Sequence, residues 1–150
     1  VVLGGGPLEA SIHALAKELN LSDRVQFVGA VNDLDKMAIL SLSQAVVLPS
    51  SSRAEAFGIS LLEGMMAGKA LISTELSTGT SWVNQDGVTG YVVPPHNPAA
   101  LAKAMDDLVS DSERTQQMGQ AARARFVEHF TADKMAHAYW AIYQNILEQS

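Results

Sequence analysis

Glu55 and Glu63 stand eight positions apart in R-A-E-A-F-G-I-S-L-L-E-G-M-M-A-G-K, one acid just before a segment of helical periodicity and the other inside it. That placement aims two carboxylates at one ligand. Two acids can serve as acid and nucleophile at a glycosidic bond. The unpaired N–H groups of Gly58, Ile59 and Ser60 at the expected helix start offer a different chemistry, an anion site. At about 100° per residue, Ile59, Leu61, Leu62, Met65 and Met66 are expected on one arc and Ser60, Glu63, Gly64 and Ala67 on the other. Glu63 then stands among small residues, which leave room for a ligand.

The elements that must hold these acids alternate in type. The apolar run Ala45 to Leu48 reads as a buried strand, Pro49 to Ala56 as the loop leaving its C-terminal end, and Ile59 to Ala67 as a helix closed by Gly68. Val1 to Leu3, Val25 to Val28, Ala70 to Ser73 and Tyr91 to Val93 read as further strands. Between them, Pro7 suits a first helical position ahead of Leu8, Ile12, Leu15 and Leu19, and Asp33 is expected to cap a helix carrying Leu34, Met37, Ala38 and Leu40. Beyond Pro95 the chain turns helical, from Asn97 or Pro98 to Val109, from about Ser112 to Val127, and from a Thr131 cap onward with Met135, Tyr139, Ile142, Ile146 and Leu147 inward. The alternation implies an α/β fold, a Rossmann-like parallel sheet with helices on both faces, followed by a helical C-terminal segment. In open sheets of this kind, ligands gather at the C-terminal ends of the strands.

Pro49 to Lys69, P-S-S-S-R-A-E-A-F-G-I-S-L-L-E-G-M-M-A-G-K, closely resembles the E-x7-E signature of the family 4 (group 1) retaining glycosyltransferases, which have the GT-B fold. The resemblance runs nearly end to end. It includes G-G-G-P at Gly4 to Pro7, R-V-Q-F-V-G at Arg24 to Gly29, T-G-T-S-W-V at Thr78 to Val83 and D-G-V-T-G-Y-V-V-P-P at Asp86 to Pro95. Gly64 and Ala70 depart from the usual Ala and Pro, without removing a functional side chain. The resemblance implies that residues 1–150 form the C-terminal, nucleotide-sugar-binding domain, with a first strand, its diphosphate-binding Arg and Lys, and an acceptor-binding N-terminal domain preceding Val1. A start without Met, inside a strand, fits that expectation.

Carried over by the motif, Glu63 would accept hydrogen bonds from the ribose diol, for which a carboxylate's two acceptor oxygens are suited. Glu55 would bind hydroxyls of the donor sugar. Its plainer reading is an acid stabilised by a helix N-terminus. Phe57, Gly58, Ile59 and Ser60 would approach sugar and phosphates through backbone N–H groups, with glycine needed at 58. Gly4 and Gly6 would let the backbone come near the sugar-nucleotide, or simply form a tight turn. The Gly29 to Val31 turn, Val31 included, is the candidate reader of the base. The implied reaction is transfer from a UDP- or GDP-linked sugar to a saccharide or lipid-linked acceptor. A non-catalytic sugar-nucleotide-binding module and a GT-B epimerase or phosphorylase remain alternatives, separable by a G-R-x…K-G pattern upstream of Val1.

Bulk properties narrow the partners. The 150 residues are 47% hydrophobic, enough for one compact domain. A formal charge of −6 with ten scattered basic residues argues against a nucleic-acid surface or a polybasic membrane patch. No cysteine is present, so a disulfide framework and thiolate metal sites are excluded. No apolar stretch reaches the roughly 20 residues that span a bilayer. The expected location is cytoplasmic, with any peripheral membrane contact made through the N-terminal domain. No cofactor or metal is expected: Asp33-Leu34-Asp35 spells D-x-D but opens a helix, where an acid more often caps N–H groups. Position 9 is Glu9, so the triple glycine fails the dinucleotide fingerprint. His13, His96, His129 and His137 lack metal-ligand spacing, Trp82 is split between sugar contact and packing, and Trp140 reads as core.

Overall fold

The computed structural model describes residues 1–148, and the chain forms two compact units, Val1–Ile39 and Leu40–Ser150. In the first unit, β1 (Val2–Leu3) pairs in parallel with β2 (Phe27–Gly29), and α1 (Glu9–Glu18) connects them. Helix α2 (Asp33–Leu42) begins in this unit and ends in the next. Pro7 lies ahead of α1, not within it; the Glu9 amide donates to Gly6 O at 3.0 Å. The cap of α2 is Asn32, one residue before the expected Asp33. Its Oδ1 accepts from the Asp35 amide at 2.9 Å while its Nδ2 donates to Asp35 Oδ2 at 2.8 Å, a reciprocal arrangement that satisfies the helix start.

The second unit is built on a three-stranded parallel sheet in the order β3 (Ala45–Leu48), β4 (Ala70–Thr74), β5 (Gly90–Val93). Helix α3 (Ile59–Met66) connects β3 to β4, and the short α4 (Thr80–Val83) lies between β4 and β5. Then come α5 (Pro98–Ser110), α6 (Ser112–His129) and α7 (Ala132–Glu148). Each start has a side-chain cap: Asn97 for α5 with Pro98 following, Asp111 for α6, and Thr131 Oγ1, which accepts from the Lys134 amide, for α7.

Strand alternation divides the core in two. Ala70 and Ile72 join Val93, Ala104, Leu108 and Met118 on one side. Leu71 joins Leu61, Met65, Val83 and Ala122 on the other. All five residues of β4 are buried, as a central strand covered on both faces requires. The end of this sheet is fixed by a buried polar network. Asn84 Nδ2 donates to Ser73 Oγ (2.9 Å) and Tyr91 O (3.0 Å), and its Oδ1 accepts from Thr89 Oγ1 (2.8 Å). Three inward polar side chains thereby satisfy one another instead of being desolvated without partners.

Two expectations about burial fail. The apolar stripe of α7 does not face inward: none of its described residues is buried, and Trp140 is 63% exposed. Periodicity reveals that a helix has an apolar face but not what covers it. On α3 the inward arc is Leu61, Gly64 and Met65, while Ile59 is 69% exposed. Gly64 belongs to the sheet side, because a Cβ there would meet Leu71 Cδ2 and Val46 Cγ2 at 2.9 Å each.

Candidate functional site

The loop from β3 to α3 carries Glu55, Phe57 and Gly58, and the first turn of α3 carries Ile59 and Ser60. Gly58 sits at φ +84°, a left-handed conformation that favours glycine, and a Cβ would also lie 2.9 Å from Leu61 Cδ1. This turn points the Gly58 amide back along the loop, where it donates to Glu55 Oε1 at 2.9 Å. Glu55 is therefore held at the open end of α3, half-buried, with one oxygen engaged by the backbone. A carboxylate at a helix start is stabilised by the helix dipole, so the plain reading of Glu55 is realised locally. Its second oxygen remains an acceptor for a hydroxyl.

Of the three N–H groups read as an anion site, Gly58's is the one taken by Glu55. The first donors back to the chain are Leu61 and Leu62, both to Gly58 O at 2.9 and 3.4 Å. The amides of Ile59 and Ser60 thus form the open end of α3. Phe57 is 38% exposed beside them. Glu63 follows one turn later, half-buried and off the inward arc. Its small neighbours are Ser60 and Ala67, since Gly64 turns toward the sheet.

The first unit brings together another set. The Gly4 amide donates to Gly29 O at 2.8 Å, so the ends of β1 and β2 lie side by side and the Gly29 to Val31 turn adjoins the glycine run. Gly4 is at φ +98°, and neither Gly4 nor Gly6 has an atom within 4 Å of an added Cβ. Both therefore have open space above them. Val31 is half-buried. The acids of the D-x-D string are locally engaged: Asp33 pairs with Lys36 at 3.1 Å and Asp35 with Asn32.

Trp82, weighed above for sugar contact and for packing, is 53% exposed and packs on one side. Its ring meets Phe130 edge-on at 4.8 Å, and the Arg125 guanidinium lies 5.3 Å from its centroid. Phe130 in turn meets Phe57 edge-on at 6.1 Å. Neither Arg125 nor Phe130 was a sequence candidate. An arginine in A-R-A-R-F reads as one charge on a solvated helix, and nothing local links it to position 57. Among the described residues no group of three or more His, Cys, Asp or Glu could hold a metal, and no helix is long and apolar enough to cross a membrane. A concavity of about 590 Å³ lies elsewhere, lined in part by Gly87, Arg114 and Met118, and includes no residue of the Glu55 loop.

Residues 1–125 match the family described as glycosyl transferases group 1. Over 148 residues the chain is 47% identical to an O-antigen chain mannosyltransferase of Escherichia coli, covering 99% of this chain and 40% of that protein. It is 52% identical over 132 residues to a D-rhamnosyltransferase of Pseudomonas aeruginosa, covering 88% and 34%. An Anabaena protein solved in complex with UDP superposes with a TM-score of 0.83 at 21% identity, covering 91% of this chain and 36% of that one, and supports the fold. The chain spans about two-fifths or less of the length of these relatives. Its parallel sheets flanked by helices are the Rossmann-like architecture of GT-B glycosyltransferases, and the chain belongs to the group 1 glycosyl transferases.

Proposed function

We propose that this chain is the donor-binding portion of a retaining glycosyltransferase that moves a hexosyl group from a UDP- or GDP-linked sugar to a saccharide or lipid-linked acceptor in polysaccharide biosynthesis. One observation carries the reading: the Glu55 carboxylate, held by the Gly58 amide, shares the start of α3 with the open amides of Ile59 and Ser60, beyond the C-terminal end of β3. An acceptor of sugar hydroxyls and a donor set for phosphate oxygens thus lie within six residues. The relatives' mannosyl- and rhamnosyltransferase names agree with a hexosyl donor.

In this reading Glu63 of the second unit accepts from the ribose diol; Val31, Gly4 and Gly6 are proposed nucleotide-sugar contacts of the first unit, taken by itself. As the anomeric C–O bond breaks, negative charge grows on the departing diphosphate. The Ile59 and Ser60 amides are fixed in place and stabilise that charge with little reorganisation. Glu55 positions the sugar and does not attack it; its Oε1 is already an acceptor for Gly58 N–H. No metal takes part, in keeping with the local partners of Asp33 and Asp35. The acceptor is held by chain beyond these residues, so residues 1–150 alone transfer nothing.

Calorimetry with UDP and GDP tests the reading. Glu63→Ala should lose most nucleotide affinity, since a hydrogen bond to a charged acceptor is worth about 1.5–3 kcal/mol, and binding should survive chelation. Unchanged affinity in Glu63→Ala removes that residue from the site. A strict magnesium requirement returns Asp33 and Asp35 to consideration.

A further inference from the structure

We infer that Arg125 is a positioning residue for the Glu55 to Gly58 loop, acting through two separate arms; the catalytic part of this inference rests on the function proposed above. The first arm runs through hydrogen bonds. Arg125 Nη2 donates to Trp82 O at 2.6 Å and its Nε to Val83 O at 3.3 Å. Those carbonyls end α4, a helix of four residues. A helix so short has almost no internal ladder, and its last carbonyls lack helical partners, so an external donor decides where it sits. A guanidinium suits the task because its planar fork serves two carbonyls at once.

The other end of α4 is pressed against the loop. Gly79 precedes Thr80, and its amide donates to Ala56 O at 2.8 Å. A Cβ on Gly79 would lie 2.8 Å from both Ala56 O and Phe57 Cδ2, so the two backbones approach as closely as atoms allow. Moving α4 moves Ala56. Ala56 sits between Glu55 and Phe57, and Glu55 is fixed in turn by the Gly58 amide.

The second arm runs through rings. The same guanidinium lies over Trp82 at 5.3 Å and over Phe130 at 5.6 Å. Phe130 packs edge-on against Trp82 and against Phe57. Stacking of this kind fixes ring orientation as well as contributing cation–π attraction. Both arms start at Arg125 on α6 and converge on residues 56 and 57. Since misplacement by about 1 Å can cost about 10²-fold in rate, a residue that contacts no substrate can govern turnover.

Hydrogen exchange on the full-length protein reads the coupling without any assumption about function. In Arg125→Met, amide exchange across residues 54–58 and at Gly79 should rise at least tenfold, while β4 amides stay protected. Arg125→Lys keeps charge and stem but not the fork, and should lie between the two. With whichever UDP- or GDP-linked hexose the wild-type enzyme uses, turnover should fall about 10²-fold while inhibition by free UDP or GDP changes less than about threefold, since Glu63 lies outside the loop. If Arg125→Met does not fold, Phe130→Leu carries the same two measurements through the ring arm. Unchanged exchange in the loop overturns the inference, as does raised exchange with unaltered turnover. A full-length wild-type protein that transfers no such hexose refutes the proposed function instead, and the exchange result still decides the role of Arg125.

Discussion

The two units treat apolar residues in opposite ways. Around β4 in the second unit, Leu71, Ile72, Leu61 and Met65 are closed off completely, with a core on each face of the sheet. In the first unit α1 buries only Ala16, while Leu15 is 52% exposed and Leu8, Ile12 and Leu19 are exposed as well. The same contrast appears within the second unit. Helices α5 and α7 are equally amphipathic, yet α5 sends Ala104 and Leu108 into the core and α7 buries none of its described residues. Amphipathicity is a property of a segment; burial is a property of what lies opposite it. Glu55, Ile59 and Ser60, proposed to touch the sugar and phosphates, stand at the rim of the second unit's dry region, where a strand end meets a helix start.

The largest expected effect sharpens this contrast at the centre of the core. Leu71→Ala removes a side chain that is fully enclosed, in a cluster with Leu61, Met65 and Val83 against which Val46 packs. It should cost about 2–5 kcal/mol, read as a lower midpoint in urea with an unchanged slope. A loss under about 1 kcal/mol would show that the core closes around the cavity, and that the packing is looser than its burial implies.

The next effect tests whether the polar rim is as closed as the apolar centre. Thr89→Val keeps shape but strips a hydroxyl that donates to Asn84 Oδ1 and accepts from the Gln85 amide, both at 2.8 Å. Leaving such groups unpaired should cost about 1–3 kcal/mol. Exchange of the Gln85 amide should quicken at the same time. A neutral result would mean that water already reaches this network.

How much of this could be read from the chain follows the same division. Strands β3, β4 and β5 stand out as short apolar runs because a parallel sheet covered by helices needs no polar alternation, although only β4 is buried throughout. Glu55 and Glu63 stand out by their spacing; glycine at 58 is expected for close backbone approach to a ligand, whereas its left-handed φ and the nearness of Leu61 supply a local reason. The bond from Gly58 to Glu55 does not stand out, because it depends on one left-handed φ that redirects an amide. The cap falls on Asn32 and not on the expected Asp33 because either residue type caps well and periodicity fixes a helix start only to within a residue or two. Arg125 left no local trace at all: its partners Trp82 and Val83 are 43 and 42 positions away. Ties of that length are tertiary facts, invisible to any rule about neighbours.

The smallest expected effect is the one most able to break the comparison. If the apolar face of α1 is as open in solution as its exposure indicates, Ile12→Ala gives up little transfer energy and slightly favours the helix, since alanine loses no side-chain entropy there. Residues 1–150 carrying that change should therefore unfold within about 0.5 kcal/mol of the parent. Leu147→Ala on α7, where the leucine is 76% exposed, should behave alike. A cost of about 2 kcal/mol or more at either position is the range of a buried aliphatic side chain. That result would mean the face is covered in solution, by association of copies, and equilibrium sedimentation should then find a concentration-dependent mass for the parent and a smaller one for the variant. Without such a change in mass, the cost would have to arise within one chain, and the distinction between a closed core and open amphipathic helices would fail.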